Sequence, residues 1–498
     1  MMKTEIPRYD IIILGGGIAG SVMAISLKRK TPSLTILIIE RSSIFPNKVG
    51  ESSAEMTGLF FNRFGIDHLL KKQIPKTGLR FLFNEHNSCA PEKMDEFSSP
   101  SYKSIANGYH FNRQQFDEDL LEEAVKMGCE IRRPAEIIDF HYEKLNSLVR
   151  IKYEDKETEY RATWLIDASG TERIVGKKMG WQDNTVTFDT AASLAHFENL
   201  RPINEWDKLK SEIWQKNAIG PQSQSTIHFL RYGCWWWHIV LNNNTTSIGV
   251  VYDKNILGTP DPEKFFNDYL EKDELLKHIT QGSTRGPIKH LPKLPYLSNR
   301  LYDDGIVVIG DSAAFIDPLF SPGIEFICQQ SINLTDLITD YFKNNKMNYR
   351  KWNRYQKVFL AAFSHRIKIY QDRYKLMGSY DLFSNWVQLD FFGYFCFTIF
   401  PSVVFPSRMK TPPRFLFPSN LVYKFVTNRY LKIAERRELQ GRLSTSLQKP
   451  VSYSHISIPN GFMFYFKVPQ LFFIWFINYM KIEMDEVRFI FFSKKKNI

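Results

Sequence analysis

Tyr9-Asp10-Ile11-Ile12-Ile13-Leu14-Gly15-Gly16-Gly17-Ile18-Ala19-Gly20 decides the fold of this chain. An apolar run leads into Gly-x-Gly-x-x-Gly, and Ser21 to Lys28 continues as a helix. Gly15 permits the tight turn, Gly17 lets backbone approach a pyrophosphate, and Gly20 lets the helix pack on the strand. Ile18 and Ala19 fall at the helix start, where N–H groups are free to meet an anion. A second strand, Leu34 to Ile39, ends in Glu40, with Arg41 beside it. An acidic residue at that point accepts both hydroxyls of an adenosine ribose and disfavours a 2′-phosphate. The reading is an α/β fold with a Rossmann-type dinucleotide-binding domain.

Far downstream stands Gly310-Asp311-Ser312-Ala313-Ala314-Phe315-Ile316-Asp317-Pro318-Leu319-Phe320-Ser321-Pro322-Gly323-Ile324. It follows a strand-like run, Gly305 to Ile309, and precedes an apolar-periodic helix from Glu325 to Phe342. A strand thus delivers an Asp into a turn, and a Pro-Gly pair opens a helix. Such a helix start suits a phosphate or a reduced flavin ring. With the upstream fingerprint it points to an FAD-binding enzyme.

The length allows two or three domains, and 43% hydrophobic residues suffice for a large core. Cys89, Cys129, Cys234, Cys328 and Cys396 are scattered without a Cys-x-x-Cys pair, which argues against a disulfide framework or a zinc site and fits a reducing cytoplasm. No metal-ligand cluster and no Ser-His-Asp motif is apparent. The first strand begins within ten residues of Met1, leaving no room for a secretory signal. The net charge of +12 is spread along the chain without a nucleic-acid motif, so nucleic acid is excluded as a partner. A positive field that draws an anionic cofactor or an acidic carrier protein is the reading kept.

We expect an FAD-binding domain over 1–185 and 281–345, an inserted β-sheet substrate domain over 186–280, and an aromatic-rich, mainly helical region over 346–498. Asn112 to Asp117 opens a helix that carries Arg113, and Thr163 to Gly170 is a strand ending in a small-residue turn. Arg113, Asp167 and Gly170 would there lie against the bound dinucleotide. Alternating runs at Ser223–Leu230, Trp235–Leu241 and Ser247–Tyr252 form the inserted antiparallel sheet. Phe391 to Phe405 and Leu471 to Met480 are apolar but fall short of the ~20 residues that cross a bilayer. They are expected to cover the substrate pocket. Lys494-Lys495-Lys496, beside Phe489-Ile490-Phe491-Phe492, leaves peripheral membrane contact open for an otherwise cytoplasmic protein.

These elements, in this order, resemble the superfamily of aromatic hydroxylases, geranylgeranyl-reductase-like enzymes and flavin-dependent halogenases. The closest likeness is to the phenol- and pyrrole-type branch of the halogenases, over residues 8 to 345. Four places carry it: Val49-Gly50-Glu51-Ser52, Lys76-Thr77-Gly78 with Phe81, Trp235-Trp236-Trp237-His238-Ile239, and Asp317-Pro318-Leu319-Phe320-Ser321 with Gly323. The resemblance implies FAD, reduced by a separate flavin reductase, and a halide ion that is oxidised beside it to hypohalous acid. It implies that Lys76 captures that acid, as a chloramine or by hydrogen bonding, and aims it at an electron-rich ring. Gly50, Glu51, Ser52, Gly310, Asp311, Pro318, Gly323 and Ile324 would then hold the cofactor. Trp235, Trp237, Phe320 and Ser321 would wall the passage to a phenolic, pyrrolic or polyketide-like substrate, free or on an acyl carrier protein. His238 and His110 read as hydrogen-bonded structural histidines.

Three departures stand against that pattern. Val240 replaces the proline of the Trp-x-Trp-x-Ile-Pro signature, and Asn47 and Ala54-Glu55 flank the Gly-Glu-Ser turn unexpectedly. Pro322 removes one of two consecutive N–H groups the family offers the halide, since proline has none. A hydroxylase, an isoprenoid-chain reductase, or a non-catalytic flavin-binding, membrane-associated protein are the alternatives. Phe320 stands where tryptophan-type members carry a glutamate, so free tryptophan is not the expected substrate.

Overall fold

Arg8–Leu14 pairs in parallel with Lys156–Asp167 on one side and Ile36–Ile39 on the other. Ile306–Val308 extends this sheet beyond Lys156–Asp167, and Glu130–Arg132 extends it beyond Ile36–Ile39. Ile11 to Leu14 are wholly buried, as parallel strands covered on both faces require. The first helix, Ile18–Lys30, packs against both Arg113–Lys126 and Gly323–Asn344. This computed structural model describes residues 5–85, 87–90, 93–100, 107–206, 221–242, 244–371, 373–410, 417–439 and 464–495.

The second sheet runs Thr190–Glu198, Thr245–Asp253, Cys234–Val240, Thr226–Arg231, each pair antiparallel. It does not stop at the expected 186–280 segment. Gly78–Phe83 joins it in parallel beside Thr226–Arg231, and Asp95–Pro100 pairs with Gly78–Phe83. Thr284–Arg285 and Lys289–Leu291 close the other side, against Thr190–Glu198. Leu79, Phe81 and Phe83 explain the recruitment, because a buried apolar strand is stable only when its ladder is paired.

Trp235 and Trp237 point to one face of the sheet and Trp236 to the other, as strand alternation demands. Trp236 packs in a separate core between Phe266 and Tyr269, at ring separations of 5.0 and 5.1 Å. Truncating it would cost about 3–5 kcal/mol. Trp237 lies flat on Gly249 of the neighbouring strand; a Cβ there would meet its ring at 2.2 Å.

After Gly323–Asn344 the chain is helical: Tyr349–Gln371, Tyr380–Tyr394, Phe400–Val404, Phe417–Leu439 and Phe464–Lys495. The apolar stretch expected over Phe391 to Phe405 begins earlier, at Tyr380. It belongs to a helical segment, Tyr380–Val404, whose 25 residues meet the length and composition of a membrane span. In the fold its first part packs against Phe464–Lys495 and Phe417–Leu439. Arg437 fastens these helices through Asp381 at 2.8 Å and Glu486 at 2.8 Å. Of the terminal lysine run, Lys496 lies outside the described residues.

Candidate active site

The two fingerprint turns and the Val49–Ser52 turn converge on one cavity of about 340 Å³. Gly17, Ile18, Ala19, Arg41, Gly50, Glu51, Ser52, Arg113, Gly170, Gly310, Asp311, Pro318, Gly323 and Ile324 border it. Gly15, Gly20, Glu40 and Asp167 stand behind it. Glu40 supports the glycine turn: its Oε2 accepts the Gly16 N–H and its Oε1 the Ser42 N–H, both at 2.8 Å. Asp167, expected against the dinucleotide, does not border the cavity. It is fully buried, and its carboxylate accepts the N–H groups of Ser169 at 3.0 Å and Val175 at 2.7 Å and the Ser312 hydroxyl at 3.0 Å. It ties two strand ends together.

The donor set fits FAD. Ser21 makes the first backbone bond of the Ile18–Lys30 helix, to Gly17, so the earlier N–H groups are left for a phosphate. The Asp311 carboxylate borders the cavity with no hydrogen bond among the described residues, an acceptor free for a ribityl hydroxyl. Burial pushes its carboxyl up, against the charges of Arg113 and Lys48. Arg113 is held by Asp117 at 3.0 and 3.1 Å and by the Val49 carbonyl at 2.7 Å, which fixes the Val49–Ser52 turn over the cavity. A charged hydrogen bond contributes about 1.5–3 kcal/mol. Glu40→Ala is therefore expected to weaken FAD binding about 10- to 100-fold, measured by fluorescence titration of the apoprotein.

Trp235 and Trp237 form one wall of this cavity, with Thr226 and His228 from the next strand. Sequence reasoning missed Thr226 and His228, although they share one face of an alternating run. Trp235 donates its indole N–H to the Tyr374 hydroxyl at 3.0 Å, and Tyr374 donates to Asp317. Burial raises the Asp317 carboxyl to about 6, although the bonds from Tyr374 and the Leu319 N–H oppose it. The Asp317–Pro322 loop is thereby anchored to the C-terminal region. Ser321 adopts left-handed backbone (φ 54°), and Pro322 caps Gly323–Asn344. The first backbone bond of that helix is Phe326 to Pro322, so the N–H groups of Gly323 and Ile324, two residues that border the cavity, have no backbone partner among the described residues. His238 lies outside the cavity, and burial pushes its imidazole down to about 4.

Lys76 is not the solvated end of a basic run. Only 4% of it is exposed, and it lines a second, narrower cavity behind the loop. Ser321 borders the cofactor side, Phe320 the Lys76 side, and Pro322 both. Lys76 Nζ donates to the Ser52 hydroxyl at 3.1 Å and the Ser53 carbonyl at 3.2 Å. Burial pushes its amine down to about 8, partly offset by the charge of Glu55. The hydrogen-bond chain continues from Ser52 to Thr226 at 3.2 Å and from Thr226 to His110 Nε2 at 2.8 Å. His110 Nδ1 lies 3.0 Å from the Val240 carbonyl. Burial and the Lys76 charge push His110 down to about 3, so it is neutral. Its Nδ1–H must donate to Val240, which makes Nε2 the acceptor and fixes every donor back to Lys76. Expected to be structural, His110 therefore has the further effect of orienting this chain.

Residues 10–97 and 70–376 match the model of the tryptophan halogenase family. The 1H-pyrrole-2-carbonyl-[peptidyl-carrier protein] chlorinase of Pseudomonas fluorescens is 26% identical over 370 residues, 70% of this chain and 79% of the relative. The flavin-dependent halogenase chlA of Dictyostelium discoideum is 24% identical over 429 residues, 78% of this chain and 70% of the relative. The crystal structure of halogenase PltM superposes with a TM-score of 0.74 at 20% identity, over 87% of this chain and 93% of that one.

Proposed function

From the premise that this chain belongs to the tryptophan halogenase family and is an FAD-dependent halogenase, we propose that it halogenates a phenolic or pyrrolic ring through Lys76. The observation that carries the proposal is the burial of Lys76 behind the loop that borders the cofactor cavity. Bound in reduced form, FAD supplies the electrons with which oxygen is activated to oxidise the halide. The residues do the rest. Gly323 and Ile324 offer paired N–H groups at the positive end of a 22-residue helix, a site for the halide anion that survives the loss of the Pro322 N–H. The Phe320–Pro322 loop keeps the cofactor away from the aromatic substrate while leaving a short path for a small neutral oxidant. Lys76 receives that oxidant at a nitrogen whose N–H directions are set by Ser52 and Ser53.

Phe320 in place of a carboxylate disfavours free tryptophan. The name of the Pseudomonas fluorescens relative supports a ring presented on a carrier protein, and the +12 charge suits an acidic carrier. The test is a 1,3-diketone trap for hypohalous acid, with reduced FAD, oxygen and chloride but no aromatic substrate. Halogenase chemistry predicts a chlorinated trap that depends on chloride. A hydroxylase, the reading that Pro322 kept open, predicts hydrogen peroxide alone, with or without chloride.

A further inference from the structure

We propose that Glu325 is the general base of the ring-halogenation step, taking the hydroxyl proton of a phenolic substrate while Lys76 presents the halogen. This rests on the halogenase reading above and adds the substrate class to it. Glu325 lies in the first turn of Gly323–Asn344, so the helix start that faces the cofactor also carries a carboxylate into the Lys76 cavity. It is buried, yet each oxygen keeps a lone pair for a further partner. Oε1 accepts from the Gln329 amide at 3.1 Å and Oε2 from the Tyr394 hydroxyl at 3.0 Å. The Tyr394 contact shows that this carboxylate accepts a phenolic O–H, the group a phenolic substrate would bring to it.

Several titratable groups face Glu325. Glu55 comes from the loop before Thr57–Phe64 and Lys76 from the turn before Gly78–Phe83. Arg366 and Tyr370 come from Tyr349–Gln371, Asp390 and Tyr394 from Tyr380–Tyr394, and Cys328 from its own helix. Burial pushes the Glu325 carboxyl up to about 7; Glu55 adds to this, while Arg366, Tyr394 and Gln329 oppose it. Such a group is well matched to accept a proton near neutral pH. In the step, hypohalous acid rests through its O–H on the Lys76 nitrogen; its halogen–oxygen bond breaks with the electron pair on oxygen, and the ring electrons form the carbon–halogen bond. The hydroxyl proton passes to Glu325. The departing hydroxide takes the ring C–H proton as water, and Glu325 returns its proton to the substrate oxygen.

The test uses holoenzyme with reduced FAD, oxygen, chloride, and a phenol beside its methyl ether, with the diketone trap run in parallel. In Glu325→Gln the ratio of ring product to trapped oxidant is expected to fall about 100-fold with little change in KM. The rising limb of log kcat near pH 7 should vanish, leaving only the rise through about 8 that belongs to Lys76, and the preference for the phenol over the ether should collapse. A variant with wild-type kcat and pH profile, or with only KM raised, overturns the proposal. Where Glu325→Gln does not retain FAD, Tyr394→Phe decides. Removing a bond that favours the charged carboxylate should move the limb to higher pH, and an unmoved limb overturns the proposal. A wild-type enzyme that yields no trapped oxidant refutes the halogenase reading, and the base with it.

Discussion

Lys76→Ala is expected to lower ring chlorination at least about 100-fold while chloride-dependent formation of hypohalous acid continues. The reason lies in the state of the amine. With its pKa near 8, about a tenth of Lys76 is neutral at pH 7, against roughly 0.03% of an ordinary lysine. A neutral amine directs its two N–H bonds at Ser52 and Ser53 and leaves its lone pair for the cavity it lines. Chlorination should therefore rise with pH through about 8, because deprotonation is what frees the lone pair. Lys76→Arg should not restore activity, since a guanidinium stays charged throughout. Rates of chlorinated phenol against trapped oxidant, across pH, check both statements. Chlorination by Lys76→Ala at the wild-type rate would remove the lysine from the mechanism.

Gly20→Ala is expected to give a colourless protein, with FAD affinity reduced at least about 100-fold and a lowered Tm. The added methyl would stand 1.9 Å from the Gly15 carbonyl oxygen and 3.2 Å from the Ile13 side chain. Both clashes involve the strand–turn–helix itself, where no flexible side chain can yield. Overpacking of this kind costs about 1–3 kcal/mol where a core can relax, and this one has little room to do so. The turn must open, and with it goes the helix start that meets the pyrophosphate. Flavin absorbance after purification and after FAD addition measures the effect; a yellow variant with wild-type affinity would contradict it.

The dinucleotide cradle was legible because its determinants are local. Apolar runs of strand length, glycines at fixed offsets and a terminal Glu40 all fall within the first 40 residues. The Lys76 site was only half legible. Lys71, Lys72 and Lys76 look alike in sequence, but the Lys76 N–H pairs with the Gly108 carbonyl, which turns that segment inward. No local pattern reports a pairing so far along the chain. The same holds for Gly78–Phe83, a strand whose place in the second sheet is set by Thr226–Arg231. Glu325, Arg366 and Tyr394 share one cavity only because three helices converge there, and each reads singly as an ordinary residue of an amphipathic helix. The partners of Asp167 were not legible either: its position at a strand end suits a ligand, and only the fold shows that Ser169, Val175 and Ser312 donate to it.

The most direct test of the account is mass spectrometry of a panel of phenols and pyrroles, free and carrier-bound, after incubation with the enzyme, reduced FAD, oxygen and chloride. The account predicts products in which chlorine replaces a ring hydrogen, with the isotope pattern of chlorine, formed by wild-type enzyme and not by Lys76→Ala. Products that gain oxygen instead, or the same chlorinated products without Lys76, would contradict it.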